Sequence, residues 1–170
     1  MIIISYPRQT KLLPENLYPN TIYSFDTNVF IETWRDYYPI DLFSSLWDFI
    51  SNLITQNKII ATHLVKVELG EQRDELVEFV NQFQNLFVEP TLKEQKIVNE
   101  IINHPNFSYW ANGQRNKADP FVVALAKAFD LVVVTYESHH SPKKIPAACR
   151  EFNVECIYFI ELLRREDFKF

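Results

Sequence analysis

Residues 118–137, ADPFVVALAKAFDLVVVTYE, decide the fold class of this chain of 170 residues. Asp119 and Pro120 form a typical helix start, with the carboxylate as N-cap and proline at the first helical position. The helix that follows is apolar on all sides and should be buried. The next run, residues 131–135, is rich in β-branched residues and does not alternate, which is typical of a strand covered on both faces. The stretch therefore predicts helices on both sides of a sheet.

Outward from this stretch, the chain alternates strand and helix patterns. Asp41 is the predicted N-cap of one helix, Thr91 and Glu94 form a capping box for another, and a third should break near Gly70. Further strands are predicted over 21–25, 58–61, 86–88 and 154–157, and further helices over 41–56, 65–85, 145–152 and 159–165. The pattern predicts one α/β domain over 1–170, a three-layer α/β/α sandwich with a mainly parallel central sheet, in which residues 1–20 form an extension of unassigned role.

The composition, with 47% hydrophobic and 23% charged residues, describes a single globular domain. Its two cysteines, Cys149 and Cys156, form neither a zinc-ligand pattern nor a disulfide framework, which favours a reducing compartment. The first residues lack the basic region of a signal peptide, and no apolar run reaches the roughly 18 residues of a membrane span. We therefore expect a cytoplasmic protein without a membrane partner.

Glycine and charge exclude two further classes. Gly70 and Gly113 are the only glycines, so the glycine-rich loops that cradle nucleotide phosphates are absent. The net charge of −5 argues against an overall electrostatic grip on nucleic acid. Residues 104–170, however, hold 9 basic and 8 acidic groups, which leaves room for a local basic rim.

Acidic residues follow the predicted strands. Asp26 ends the first strand, Glu137 lies just past the strand at 131–135, and Asp119 opens the buried helix beside it. Glu68, with Glu71 as its alternative, follows the strand at 58–61. Because ligands bind at the carboxyl ends of parallel strands, we expect these acids to converge. Clustered carboxylates stay ionised together only beside cations, and oxygen ligands favour Mg²⁺ or Mn²⁺, which support phosphodiester cleavage.

Each acid also has a simpler interpretation. Asp26 and Asn28 fit an Asx-type turn after a strand, and N-capping alone explains Asp119. Glu68 and Glu137 fit solvated surface positions. The joint placement of the four acids at one predicted edge favours a functional site over these local explanations.

Basic and aromatic residues surround the predicted edge. Five basic residues are candidates for contacts to a nucleic-acid backbone, and scattered solvated charges are the alternative: Arg115, Lys117, Lys143, Lys144 and Arg150. Tyr109 and Trp110 fit either stacking on unpaired bases or packing in the core.

These motifs resemble, in order and spacing, the PIN-domain ribonucleases, which include the VapC-like toxins of toxin–antitoxin modules. The resemblance rests on Phe25-Asp26-Thr27-Asn28-Val29-Phe30, a mid-chain glutamate, Ala118-Asp119-Pro120 and Val133-Val134-Thr135-Tyr136-Glu137. It is strongest to a prokaryotic PIN-like family of unassigned function, whose pattern includes 34–39, 144–150 and 161–163. The match covers residues 23–163.

The resemblance implies a PIN fold and a metal-dependent endoribonuclease with a Mg²⁺ or Mn²⁺ site. Its implied catalytic and metal-binding residues are Asp26, Glu68, Asp119 and Glu137, and its implied supporting residues are Thr27, Asn28 and Thr135. Glu137 stands where the superfamily more often has aspartate, which leaves open whether it binds metal directly or through water. The implied partners are an RNA substrate, an antitoxin protein and a second copy of the chain, with Trp34, Tyr37, Tyr38 and Trp47 as either a contact patch or core.

Two other classes compete with the ribonuclease hypothesis. One is a catalytically inactive PIN-fold module that binds RNA or a protein. The other is a phosphatase or phospho-acceptor domain. This last class is disfavoured because Asp26-Thr27-Asn28 lacks the second acid that such a site requires.

Overall fold

A computed structural model describes residues 17–72, 74–113 and 117–170 and shows a central sheet of five strands, all paired in parallel. The strands are β1 (Tyr23–Phe25), β2 (Ile59–Thr62), β3 (Phe87–Val88), β4 (Val132–Val134) and β5 (Cys156–Ile157). Their order across the sheet is β3-β2-β1-β4-β5. The first strand of the chain therefore lies at the centre, between β2 and β4.

Eight α-helices within the described residues flank the sheet. They are α1 (Thr27–Glu32), α2 (Ser44–Thr55), α3 (His63–Gly70), α4 (Glu75–Val80), α5 (Leu92–Asn103), α6 (Asp119–Phe129), α7 (Ile145–Glu151) and α8 (Phe159–Arg165). A π-helical turn at Thr33–Tyr37 extends α1, and a 3-10 turn at Ser108–Ala111 precedes α6. The predicted break at Gly70 is confirmed, since α3 ends there, and the three-layer α/β/α sandwich is confirmed as well.

The sheet is buried on both faces. Every residue of β1 and β2 is buried, as expected for strands of a parallel sheet that is covered on both faces. Helix α6 packs against β1, where the Ser24 hydroxyl donates a hydrogen bond of 3.2 Å to the carbonyl of Val122. Burial of each large apolar side chain contributes about 1.5–3 kcal/mol, so the strand ends rest on a firmly packed base.

The predicted N-cap at Asp41 is wrong. Helix α2 begins at Ser44, and Phe43 is its N-cap. The carbonyl of Pro39 accepts hydrogen bonds from the amides of Leu42 and Phe43, at 3.0 and 2.9 Å. This tight turn comes before the helix and leaves Asp41 outside it.

The start of α6 also differs from the prediction. Asp119 is the first helical residue, Ala118 is the N-cap, and no side-chain capping bond is formed. Because the helix begins one residue earlier than expected, the Asp119 carboxylate does not cap it. The capping box of Thr91 and Glu94, in contrast, is confirmed.

The aromatic group near α2 divides between core and surface. Trp47 is buried, and Trp34 packs edge-on against it with ring centroids 4.8 Å apart. Tyr37 is more than half exposed. The tryptophans therefore stabilise the fold.

No helix in the described parts of the chain is long and apolar enough to cross a membrane. The predicted extension at residues 1–20 lies mostly outside the described residues, which begin at Leu17.

Candidate active site

The carboxyl ends of β1 and β4 lie side by side because these strands pair in parallel, with Phe25 beside Val134. Asp26 follows β1, and its amide donates a hydrogen bond of 3.1 Å to the carbonyl of Val134. The Asp26 side chain is buried, with the residue only 3% exposed, and its Oδ2 accepts a bond of 2.8 Å from the Thr135 hydroxyl. The first carboxylate is thus tied to the neighbouring strand end.

Asn28 braces the same strand ends. Its Oδ1 accepts a hydrogen bond of 3.0 Å from the Tyr136 amide, and its Nδ2 lies 3.3 Å from Thr135 Oγ1, to which it donates. The Glu137 amide donates to the same hydroxyl at 3.0 Å. Asp26 makes no side-chain capping bond to α1. The Asx-turn interpretation therefore does not describe these residues, whose side chains bond across to β4.

Asp119 is the second buried carboxylate of the site. The residue is 5% exposed, and its Oδ2 has no hydrogen-bond partner among the described residues. Burial is the largest cause that raises the pKa of Asp119 to about 9, and the charges of Asp26, Glu137 and Glu68 contribute to the same shift. Capping therefore does not account for this carboxylate.

The pKa of Asp26 is raised in the same way, to about 7. Burial is the largest cause, the charge of Glu137 adds to it, and the hydrogen bond from Thr135 opposes both. Glu68 makes a further, smaller contribution. Because these four carboxylates act on one another electrostatically, the structure brings Asp26, Glu68, Asp119 and Glu137 into one cluster, here termed the acidic site.

Glu68 joins the acidic site from α3. Its Oε2 accepts a hydrogen bond of 2.5 Å from the Thr27 hydroxyl, and its Oε1 accepts one of 3.0 Å from the Ala118 amide. These bonds connect α3 to the starts of α1 and α6. Glu71 is exposed to solvent. Of the two alternatives, Glu68 is therefore the residue at the acidic site.

Glu137 is not a solvated loop residue, because its side chain is only 11% exposed. Its Oε1 accepts a hydrogen bond of 2.8 Å from Lys144 Nζ, and its Oε2 accepts one of 2.8 Å from the Ile145 amide, at the start of α7. The bond to Glu137 raises the pKa of Lys144, and the charges of Asp119 and Asp26 act in the same direction. Lys144 is therefore a cation of the acidic site.

The acidic site is only partly arranged for a metal ion. Within residues 17–72, 74–113 and 117–170, no three His, Cys, Asp or Glu side chains form a ready set of ligands. The Asp119 oxygen without a partner, and the raised pKa of both aspartates, are features of buried anions that lack a cation. Carboxylate oxygens suit Mg²⁺ or Mn²⁺. The residues present therefore fit one divalent ion on Asp26 and Asp119, while the oxygens of Glu68 and Glu137 already accept protein hydrogen bonds.

Most described residues of the predicted basic rim make no bond to the acids of the site. Lys117 and Lys143 are exposed, and Arg150 donates a bond of 2.9 Å to the carbonyl of His139. Arg115 lies outside the described residues. Lys144 is the rim residue, among those described, that bonds to an acid of the site.

The two aromatic candidates separate. Trp110 is buried and stacks on Phe107 with ring centroids 5.4 Å apart, so it belongs to the core. Tyr109 is partly exposed, and its hydroxyl donates to the carbonyl of Lys143. Burial and the charges of Asp119 and Glu137 raise the pKa of Tyr109 to about 12. Tyr109 therefore borders the acidic site.

Sequence reasoning missed the donors that hold the two glutamates. The amides of Ala118 and Ile145 carry no residue-type signal. The pairing of Lys144 with Glu137 had one available signal, a cation seven positions after an acid across a short loop.

Comparisons with known proteins concern the family and the fold of the chain. A family model described as "Domain of unknown function (DUF4411)" matches residues 23–170. No curated protein matches the chain. The crystal structure of VapBC2 from Rickettsia felis bound to a DNA fragment from their promoter is similar, with a TM-score of 0.50 and 14% identity over 81% of this chain and 98% of that chain. FitAcB from Neisseria gonorrhoeae has a TM-score of 0.49 and 17% identity over 80% of this chain and 96% of that chain. The likeness to VapBC2 shows the fold alone, which is the PIN-like α/β/α sandwich that the sequence predicts.

Proposed function

The chain belongs to the DUF4411 family, and we propose that it is a divalent-metal-dependent endoribonuclease. One observation carries this proposal: two buried aspartates meet at the carboxyl edge of a parallel sheet, and one of them has an oxygen that no described residue binds. Buried anions of this kind are costly unless a cation neutralises them. The PIN fold supports the choice of nuclease chemistry over other uses of a divalent ion.

Asp26 and Asp119 would hold the ion. When bound, Mg²⁺ or Mn²⁺ lowers the pKa of a water ligand and neutralises phosphate charge. The Thr135 hydroxyl keeps the Asp26 carboxylate in one orientation, and Glu68 joins the starts of α1 and α6, from which the two aspartates extend. Thr135 and Glu68 position the two aspartates and do not transfer protons.

The reaction is hydrolysis of an RNA phosphodiester. The oxygen of water bonds to phosphorus while the bond from phosphorus to one ribose oxygen breaks. One water proton ends on the departing ribose oxygen, and the remaining hydroxyl becomes part of the phosphate monoester. The basic residues Lys117, Lys143 and Arg150 and the exposed face of Tyr109 are proposed to bind the RNA chain.

We extend the proposal to the toxin of a toxin–antitoxin pair. The support is the fold shared with VapBC2, one of the VapC-like toxin–antitoxin proteins. The extension predicts a protein partner that suppresses cleavage.

The test uses the purified chain, labelled single-stranded RNA and Mn²⁺. We expect cleavage that EDTA stops, and an Asp119→Asn variant that cleaves about 1,000-fold more slowly or not at all. Asp48→Asn changes an exposed aspartate of α2 that is not an acid of the site, and this variant should cleave within about threefold of wild type. Mn²⁺-dependent cleavage by Asp119→Asn at the wild-type rate would contradict the proposal.

A second candidate is an inactive PIN-fold module that binds RNA or a protein. The occupied oxygens of Glu68 and Glu137 favour it, because they leave no ready set of three ligands in the described part of the chain. Calorimetric titration separates the two candidates: the inactive module should bind no Mn²⁺ at millimolar concentration, whereas the nuclease should bind it.

A further inference from the structure

Glu137 differs from the other three acids because a cation already neutralises it. Lys144 Nζ and the Ile145 amide each bond to one of its oxygens at 2.8 Å. Glu68 is also held at both oxygens, but by two neutral donors, a hydroxyl and an amide. Among the residues that the structure describes, Lys144 is therefore the cation bonded to an acid of the site, on the side of α7.

The contact fixes the lysine as much as the glutamate. Glu137 is 11% exposed, and it bonds both to the start of α7 and to the residue just before it. The Lys144 side chain is 44% exposed, so the residue is bound to the protein through Glu137 and is accessible from solvent. An ammonium has three N–H donors, and the bond to Glu137 uses one of them.

The negative charges of the four carboxylates determine how many cations are required to neutralise the acidic site. Lys144 neutralises Glu137, and a single divalent ion would neutralise Asp26 and Asp119 together. A second divalent ion would have to share the Glu137 carboxylate with Lys144, or share the Glu68 carboxylate with the Thr27 hydroxyl and the Ala118 amide. Two-metal nucleases use their second ion to stabilise charge on the phosphate.

We propose that Lys144 serves in place of a second metal ion: Glu137 holds its ammonium against the scissile phosphate, and the acidic site binds one divalent ion. This inference rests on the proposed ribonuclease function. Lys144 is then a catalytic residue, and Glu137 is a positioning residue that acts through it. The ammonium stabilises phosphate charge electrostatically and keeps its proton, so the bond changes of hydrolysis are unaltered.

The experiment compares Lys144→Met, Lys144→Arg and, as a control, Lys96→Met, which changes an exposed lysine of α5. Two quantities are measured: the number and affinity of Mn²⁺ ions bound to the RNA-free protein, by calorimetry, and the single-turnover cleavage rate. We expect the wild type to bind one Mn²⁺. Lys144→Met should cleave about 100-fold more slowly, as for loss of one transition-state donor, yet bind Mn²⁺ at least as tightly, because Glu137 is freed.

Lys144→Arg retains the charge and should recover cleavage to within about tenfold of wild type. Lys96→Met should match wild type in both measurements. If the unpaired Glu137 prevents Lys144→Met from folding, the double variant Lys144→Met with Glu137→Gln removes both charges and should show the same loss of cleavage with unchanged Mn²⁺ binding.

The outcomes separate this inference from the proposed function. Two Mn²⁺ ions on the wild type, or cleavage by a folded Lys144→Met or double variant within threefold of wild type, would overturn the role of Lys144 while leaving the nuclease intact. A wild-type chain that neither binds Mn²⁺ nor cleaves RNA would overturn both.

Discussion

The two aspartates and the two glutamates of the acidic site are held in opposite ways. Asp26 accepts one side-chain bond, from Thr135, and Asp119 has an oxygen with no partner among the described residues. Glu68 and Glu137 have both oxygens occupied by protein donors. The longer glutamate side chains reach amides at the starts of α6 and α7. Under the proposed function, the aspartates hold the cation and the glutamates organise the surroundings.

This difference has an energetic side. A buried polar group without a partner costs about 1–3 kcal/mol, and Asp119 is such a group. Proteins retain costs of this kind mainly at functional positions. Substitutions that change the aspartates and the glutamates separately test this difference.

The largest effect is expected for Asp26→Asn. It removes one charge of the ligand pair, so Mn²⁺ affinity should fall by about 100-fold and cleavage by about 1,000-fold. Calorimetry with Mn²⁺ and RNA cleavage measure these quantities. A variant that binds Mn²⁺ as tightly as wild type would erase the distinction between aspartates and glutamates.

Thr135→Val should have the next largest effect. It removes the hydroxyl that donates to Asp26 and accepts from the Glu137 amide, while keeping the side-chain shape. A lost bond to a charged group costs about 1.5–3 kcal/mol, so the melting temperature should fall by roughly 5–10 °C. Thr135→Ser retains the hydroxyl and is the matched control. Equal melting temperatures for the valine and serine variants would show that the hydroxyl does not hold Asp26.

Stability should depend on pH through the aspartates. Their pKa values are raised from 3.8 to about 7 for Asp26 and about 9 for Asp119, so the metal-free native state binds more protons than the unfolded state between these limits. Their stabilising contribution is full below pH 3.8 and is lost as pH rises toward 9.

Thermal melts of the metal-free protein and of Asp119→Asn between pH 5 and 9 measure this dependence. Asparagine cannot ionise, so the melting temperature of Asp119→Asn should rise relative to that of wild type as pH rises, by about 3–6 °C at pH 9. Mn²⁺ should reduce this difference in melting temperature. A melting temperature of Asp119→Asn that falls relative to wild type as pH rises in metal-free buffer would contradict the raised pKa of Asp119.

The smallest effect is expected for Glu68→Gln. Glutamine keeps an acceptor for the Ala118 amide, so Mn²⁺ affinity should change less than about tenfold and stability by about 1 kcal/mol. Glu71→Gln, on the exposed side of the same segment, should change neither. A loss of Mn²⁺ affinity equal to that of Asp26→Asn would make Glu68 a direct ligand.

Much of the fold could be predicted from local pattern. The continuous β-branched run at 131–135 and the alternating run at 21–25 predict the strands that become β4 and β1, because burial of a strand leaves a direct mark on residue type. The break at Gly70 was predictable because glycine disfavours the helical conformation. The start of α2 at Ser44 was not predictable in this way. It depends on a turn in which the carbonyl of Pro39 accepts hydrogen bonds from the amides just before the helix.

The acids of the site were predictable from their positions at strand ends, but their partners were not. Whether a glutamate is solvated, bonded to an amide or paired with a lysine depends on how α6 and α7 approach the sheet. Residue type at positions 68 and 137 is the same in all three situations. Sequence therefore predicts which acids follow the strands, whereas the partner of each acid depends on the tertiary structure.

The central place of β1 has a consequence for synthesis of the chain. Asp26 emerges from the ribosome early, but its hydroxyl partner lies 109 residues later, beyond the strand that must dock beside it. Contacts this distant along a polypeptide form only after most of it has been translated. Under the proposed ribonuclease function, the acidic site therefore cannot assemble until Glu137, the last of its four acids along the chain, has left the ribosome.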